Sequence, residues 1–96
     1  MAIFKISIKA NRDLLEIGSY TQEKWGIAQR DKYLDEFNEA FQTLADNPEL
    51  APKYEGIRSL YRGYLLGKHI VFYVVYQYGI RVVRVLHQNM LYTKHF

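Results

Sequence analysis

The chain has 96 residues, of which 49% are hydrophobic and 16% aromatic, and it contains no cysteine. This length suits one domain with one core, and the apolar content argues against intrinsic disorder. The lack of cysteine excludes disulfides and thiolate metal ligands, and no apolar run approaches the roughly 18 residues that span a bilayer. The sequence therefore predicts a cytoplasmic protein with no membrane contact.

Charge is divided unevenly along the chain. The formal net charge is +3, but the stretch from Gly56 to Phe96 carries six Lys or Arg and three His without any Asp or Glu. The first 48 residues carry eight acidic and six basic side chains. A C-terminal part with this composition predicts a sheet that has one apolar face and a cationic surface elsewhere. Such a surface suits an acidic partner better than a small neutral metabolite.

The N-terminal half predicts one strand and two helices. Apolar and polar residues alternate over residues 2–9, which is typical of a half-buried strand. From about Asn11 the period becomes helical, and Gly26 is a C-terminal stop signal. A second helix ends at Asn47-Pro48, because the residue before proline disfavours helical geometry. The apolar stripes are Leu14, Ile17, Thr21 and Trp25 on the first helix, and Tyr33, Leu34, Phe37, Phe41 and Leu44 on the second.

The C-terminal half predicts three strands after a loop over residues 47–57. The strands are expected at Arg58–Leu66, Lys68–Gln77 and Ile80–His87, and the glycines between them suit tight hairpin turns. The element order is therefore β-α-α-β-β-β. This order predicts an α+β fold, in which a helical hairpin packs on one face of a largely antiparallel sheet. The whole chain, residues 1–96, is expected to form one domain.

Few residues suggest catalysis or cofactor binding. The three histidines are too dispersed for a metal-ligand motif, no glycine-rich phosphate loop is present, and no serine or threonine has a visible His–acid partner. We therefore expect no cofactor and no metal. Arg62, Arg81 and His87 suggest one possible chemistry, acid–base cleavage of RNA around a scissile phosphate. The favoured alternative is that these arginines form a solvated or partner-binding face.

Trp25 also permits two interpretations. Its helical spacing from Thr21 predicts a side chain that closes the core of the helical hairpin. The alternative is an exposed anchor for a partner protein.

Several motifs, taken in order, resemble a known family. They are DLLEI at 13–17, YTQEKWG at 20–26, LADNPEL at 44–50, IRSLYRG at 57–63, KHIVFY at 68–73 and IRVVRVLHQNM at 80–90. Together they are similar to the ParE toxins of the RelE/ParE superfamily of bacterial type II toxin–antitoxin modules. The resemblance covers nearly the whole chain, and the predicted element order is the order of that superfamily.

The resemblance implies one of two activities, because this fold carries both. ParE-like members inhibit DNA gyrase and trap it on cleaved DNA, whereas RelE-like members cut mRNA in the ribosome. Gln88 follows His87 where a nuclease of the His-Tyr type would have tyrosine, and glutamine cannot transfer a proton. The first helix with Trp25-Gly26 and the ending Leu86-His87-x-x-Met90 also resemble ParE. One departure is Leu91, which stands where many ParE chains have aspartate.

The resemblance therefore implies a gyrase inhibitor that is not an enzyme and that a cognate ParD-like antitoxin neutralises. The alternatives are a ribosome-dependent mRNA endonuclease and a degenerate protein that binds the antitoxin without being toxic. Operator DNA is expected to be bound only indirectly, through the complex with the antitoxin. An acidic antitoxin segment is expected to pair with Arg62 or Arg81. The candidate residues for binding the antitoxin or the target are Trp25, Arg58, Arg62, His69, Tyr73, Arg81, Arg84, His87 and Met90.

Overall fold

The computed structural model of the chain describes residues 2–54 and 60–96. Its elements follow the order β-α-α-β-β-β, which confirms the predicted fold. They are β1 (Ile3–Ile6), α1 (Ile8–Trp25), α2 (Ile27–Asp46), β2 (Tyr61–Leu66), β3 (His69–Tyr76), β4 (Gly79–His87) and a final 3-10 helix (Tyr92–His95).

The first strand is shorter than the sequence predicts, and α1 begins three residues earlier. Ser7 is the reason: its hydroxyl oxygen accepts a hydrogen bond of 3.0 Å from the Ala10 amide, which caps the helix, and donates one of 2.8 Å to the Val83 carbonyl. The prediction that the strand continues to residue 9 was therefore wrong. Ile8 is instead the first helical residue and is 75% exposed.

The four strands form one sheet in the order β1-β4-β3-β2. β1 runs parallel to β4, and the other neighbouring pairs are antiparallel. β3 and β4 begin or end within one residue of their predicted bounds. β2 is observed from Tyr61, and the predicted start of that strand at Arg58 lies outside the described residues.

Two glycines between the strands have backbone conformations that other residues rarely adopt. Gly67, between β2 and β3, has φ +58°, and Gly79, at the start of β4, has φ +144°. A side chain at Gly79 would also collide with the backbone carbonyl of Ile3, because β1 passes directly against this glycine. The close pairing of β1 with β4 therefore depends on the missing side chain.

The core lies between the helices and one face of the sheet. Its largest fully buried side chains come from α2 and from the two central strands, and they are Phe37, Phe41, Leu44, Val71, Tyr73, Ile80 and Val82. A smaller cluster lies on the opposite face, where Tyr54 and Tyr92 cover Ile70, Phe72 and Leu86. The helices thus lie on one side of the sheet, and aromatic side chains cover part of the other.

Trp25 does not belong to the core, so the favoured prediction for this residue was wrong. Its side chain is 66% exposed and meets the Tyr20 ring edge-on at 6.3 Å between centroids. Trp25 is the last residue of α1, at the tip of the hairpin, where Gly26 with φ +93° turns the chain into α2. The helical spacing therefore predicted an apolar stripe that extends to Trp25, whereas the buried part of the stripe ends at Thr21. Within the described residues, neither helix combines the length and apolarity needed to cross a membrane.

Candidate functional site

His69 and His87 lie opposite each other on β3 and β4, near one end of the sheet. Their ring centroids are 5.4 Å apart, and the planes are nearly perpendicular. On its other side, His69 Nδ1 lies 2.8 Å from the hydroxyl of Tyr33, which belongs to α2. The sheet register thus brings two of the candidate residues into contact, and a helix supplies a third member, Tyr33, that the sequence argument did not select.

The surroundings of His69 keep its imidazole uncharged. Burial, and secondarily the neighbouring His87, lowers the pKa of His69 from 6.5 to about 4. Burial also raises the pKa of Tyr33 above its ordinary value. At neutral pH His69 and Tyr33 therefore form a neutral hydrogen-bonded pair beneath α2, and His69 offers no cation to a partner.

Arg84 is held by a carboxylate of α1. Its guanidinium Nε and Nη2 donate to the two Asp13 carboxylate oxygens at 2.8 and 2.9 Å, and the Val85 amide donates to Asp13 at 2.9 Å. The hydrogen bond with Asp13 raises the pKa of Arg84. Asp13 therefore provides a hydrogen-bond acceptor to the part of β4 that extends beyond the end of β1. Arg84, a candidate for partner binding, is a structural residue.

Sequence reasoning missed Asp13, although one signal was available. Asp13 lies four residues before Ile17 and therefore on the buried stripe of α1, where both residues are buried. A carboxylate on a buried stripe requires a buried partner. Because the three C-terminal strands contain Arg but no Asp or Glu, a basic residue of these strands was the expected partner of Asp13.

Arg62 lies on β2, opposite Tyr73, at the edge of the helix-covered face. Its Nη1 donates a hydrogen bond of 2.6 Å to the carbonyl of Ala51, in the segment that follows α2. The side chain borders an open groove of about 750 Å³ between this segment and the ends of β2 and β3. Other residues that line the groove are Asp46, Glu49, Leu50, Lys53, Leu60, Val74, Val75 and Tyr76.

Arg81 is the most open of the candidate arginines that the structure describes. It pairs in register with Lys5 of β1 and Val74 of β3. Directly paired residues share a sheet face, so Arg81 and Lys5 lie side by side on the face away from the helices. Neither makes an ion pair with any described residue. Arg81 is therefore accessible to a partner of opposite charge.

The remaining candidates divide into buried and exposed residues. Tyr73 is fully buried, its hydroxyl donates a hydrogen bond of 2.8 Å to the Pro48 carbonyl, and burial raises its pKa. It therefore cannot contact a partner in this conformation. Met90, in the turn after β4, and Trp25 are both exposed. Arg58 lies outside the described residues.

The three residues considered for RNA cleavage are not brought together. Arg81 and His87 are six positions apart on β4, which at about 3.3 Å per residue is roughly 20 Å. They also lie on opposite faces, because His87 pairs with His69 on the helix side. Among the described residues, no group of three His, Asp or Glu side chains is arranged to hold a metal ion. The geometry fits a protein that binds a partner better than one that surrounds a phosphate.

Comparison with known families identifies the chain. The family model described as "ParE toxin of type II toxin-antitoxin system, parDE" matches residues 4–92. The chain belongs to this ParE toxin family. The resemblance inferred from the motifs is thereby confirmed.

Relatives in two bacteria agree with this membership. Toxin ParE1 of Caulobacter vibrioides is 36% identical over 92 residues, which cover 94% of this chain and 93% of that protein. Toxin ParE1 of Mycobacterium tuberculosis is 40% identical over 88 residues, covering 91% and 90% respectively. A solved structure, "Chromosomal ParDE TA system from P. aeruginosa", superposes with a TM-score of 0.77 at 20% identity, covering 91% of this ParE chain and 96% of that one. This likeness shows the shared fold.

Proposed function

We propose that this ParE-family protein inhibits DNA gyrase by binding it, without an active site of its own, and that a cognate ParD-like antitoxin neutralises it. Membership of the toxin family supports the first part. The observation that carries the absence of catalysis is the separation of Arg81 from His87, on opposite faces and roughly 20 Å apart along β4. Gln88, which has no group for proton transfer, is exposed beside His87.

The antitoxin has two suitable docking sites, one on the helical hairpin and one at the edge of the sheet beside Arg62. A groove of about 530 Å³ runs between α1 and α2, with Leu14, Leu34 and Phe37 among the residues that line it. Such a groove suits the apolar face of an amphipathic helix. The second site is the groove beside Arg62, where the exposed side chains of Leu50 and Leu60 offer apolar contacts. An acidic antitoxin residue there would pair with Arg62.

Calorimetry of the toxin–antitoxin complex tests the second site. We expect Arg62→Ala to weaken binding by about 2–5 kcal/mol, which is typical of truncating a charge that is paired and desolvated at an interface. Arg12→Ala is the matched control, because Arg12 is an exposed arginine of α1 and lines neither groove. If Arg62→Ala and Arg12→Ala change the affinity equally, at low and at high salt, the antitoxin does not use Arg62.

The proposed target and partner also define where the protein acts. Gyrase works on chromosomal DNA, so the toxin would act in the bacterial cytoplasm. Contact with operator DNA would come only through the antitoxin in the toxin–antitoxin complex.

Parallel assays of gyrase and of ribosomes test the proposed activity. The purified protein is expected to block supercoiling by gyrase or to accumulate cleaved DNA, and to leave mRNA on translating ribosomes intact. His87→Ala should not alter this pattern if it folds normally. Codon-specific mRNA cuts that disappear in His87→Ala would favour the ribonuclease alternative. Inactivity in both assays, with antitoxin binding retained, would favour the degenerate toxin.

A further inference from the structure

Two tyrosines at the β3–β4 turn, Tyr76 and Tyr78, form a stack beside two cations. The rings of Tyr76 and Tyr78 are 5.3 Å apart between centroids, with only 5° between their planes. The ammonium nitrogen of Lys5 lies 4.7 Å from the centroid of the Tyr78 ring. Arg81 is the register partner of Lys5 on the neighbouring strand. We call Lys5, Tyr76, Tyr78 and Arg81 the tyrosine platform.

The sheet register places these residues on the face away from the helices. Arg81 pairs with Val74, and Tyr76 follows Val74 by two positions, so both side chains lie on one face. Ile80 and Val82, on either side of Arg81, point instead into the helix-covered core. The aromatic cluster around Phe72 covers a different part of this outer face. Tyr76, Lys5 and Arg81 are exposed, and Tyr78 is half-buried.

The backbone beneath the tyrosine platform is fixed. The Ile3 amide donates a hydrogen bond of 2.8 Å to the Tyr78 carbonyl, which ties the turn to β1. Gly79 lets β1 approach this turn closely. The side chains of the platform are therefore presented by paired strands and a bonded turn, and a ligand would not need to order a loop.

The charge of the tyrosine platform is positive and unneutralised by the described residues. Lys5 and Arg81 make no ion pair there. The described carboxylates all lie between Asp13 and Glu49, on the two helices or in the segment after them. Those helices pack on the opposite face of the sheet. Asp46 and Glu49 line the groove beside Arg62, which Tyr76 also borders. They are acidic residues at the edge of the tyrosine platform.

We propose that the tyrosine platform binds single-stranded nucleic acid. Aromatic rings stack with bases of any sequence, and neighbouring cations neutralise the phosphates that connect those bases. A stacked tyrosine pair beside two cations that form no ion pair with the described residues provides both components. The proposal deepens the proposed function and rests on it for its biological setting, in which DNA opened by gyrase would supply the unpaired strand.

Fluorescence anisotropy with a dye-labelled oligothymidylate of 15 nucleotides tests the proposal on the purified toxin. Two phosphate contacts predict a slope of about −1.4 in log affinity against log salt, because each contact contributes about −0.7 for a single strand. Raising the salt from 50 to 200 mM should therefore weaken binding about sevenfold. Arg81→Ala is expected to reduce the slope by about 0.7.

Substitutions of the aromatic rings separate stacking from charge. Tyr76→Ala is expected to weaken binding about 5- to 150-fold if one base stacks on that ring, whereas Tyr76→Phe should bind as the parent does. Tyr20→Ala is the matched control, because Tyr20 is also an exposed tyrosine near a lysine, with Lys24 Nζ at 5.9 Å from its ring, but lies on the helical hairpin. It should leave the affinity unchanged. Circular dichroism of each variant confirms that the fold is retained.

Three results would overturn the proposal. They are equal binding of a polyglutamate peptide of the same length, equal binding of a duplex whose bases are already stacked, and equal losses for Tyr76→Ala and Tyr20→Ala. The outcome is independent of the gyrase assay. Gyrase inhibition without oligonucleotide binding removes only the tyrosine platform proposal, whereas oligonucleotide binding without gyrase inhibition removes only the proposed target.

Discussion

Asp13→Ala tests how α1 is attached to the sheet. The substitution removes the carboxylate that accepts hydrogen bonds from the Arg84 guanidinium and from the Val85 amide, at distances from 2.8 to 2.9 Å. It leaves the guanidinium and the amide without this partner. The side chains of Asp13 and Arg84 are only 11% and 16% exposed, so water replaces the lost partner poorly.

The expected cost is about 3–5 kcal/mol, the range observed when one member of a buried ion pair is removed. This is a large part of the 5–15 kcal/mol that stabilises a typical domain. The chain also contains a matched control. Arg30 and Asp31 lie 2.9 Å apart, but their side chains are 32% and 58% exposed, so Asp31→Ala should cost less than about 1 kcal/mol.

Urea unfolding followed by circular dichroism measures both values. A double-mutant cycle with Arg84→Ala then isolates the coupling between the two charged groups, which we expect to exceed about 1 kcal/mol. If Asp13→Ala and Asp31→Ala cost the same, or if the cycle shows no coupling, the buried pair does not attach α1 to β4.

Three further predictions concern pH, the hairpin tip and the β3–β4 turn. The folded state holds the pKa of His69 at about 4 against an ordinary 6.5, so the unfolded chain binds an extra proton between these values. Stability from this group is complete above pH 6.5 and falls as the pH drops towards 4, by about 2–3 kcal/mol between pH 7 and 4.5. His69→Gln should flatten this part of the stability profile, and an unchanged profile would refute the assignment. Trp25→Ala should change the free energy of unfolding by less than about 0.5 kcal/mol, because the side chain is exposed. A markedly lower melting temperature would indicate that Trp25 is a core residue. Gly79→Ala should lower stability by more than about 3 kcal/mol, because the added carbon collides with the β1 backbone at a positive φ. A melting temperature equal to that of the parent would contradict the close strand approach.

The sequence was sufficient to predict the element order, because each change of period coincides with a strong local signal. Alternation over the first residues, the apolar stripe of α2 and the glycines between the C-terminal strands each reflect a local backbone requirement. The start of α1 was misplaced because Ser7 caps the helix through a hydrogen bond to Ala10 and also bonds to Val83, far along the chain. The start of α1 therefore depends on a tertiary contact, and periodicity alone predicted this start too late in the chain.

The candidate site was harder to predict, because exposure and pairing depend on tertiary contacts. Arg81 and Arg84 look equivalent in the sequence, yet Arg84 is bound to Asp13 and Arg81 is open. The β-bulge at Phe72/Tyr73 adds to this difficulty, since it shifts the register with β4 and changes which residues share a face. The stack of Tyr76 and Tyr78 depends likewise on the geometry of the turn.

Titration of gyrase with the toxin tests whether the protein inhibits gyrase by binding it, without catalysis. Gyrase at a fixed concentration is mixed with increasing, substoichiometric amounts of toxin, and the cleaved DNA is followed over time. At each amount of toxin, the cleaved DNA is expected to reach a plateau that does not change with time, and the height of this plateau is expected to rise in proportion to the toxin. A toxin that fails to affect gyrase at any ratio, while each molecule cuts many mRNA molecules on ribosomes, would contradict it.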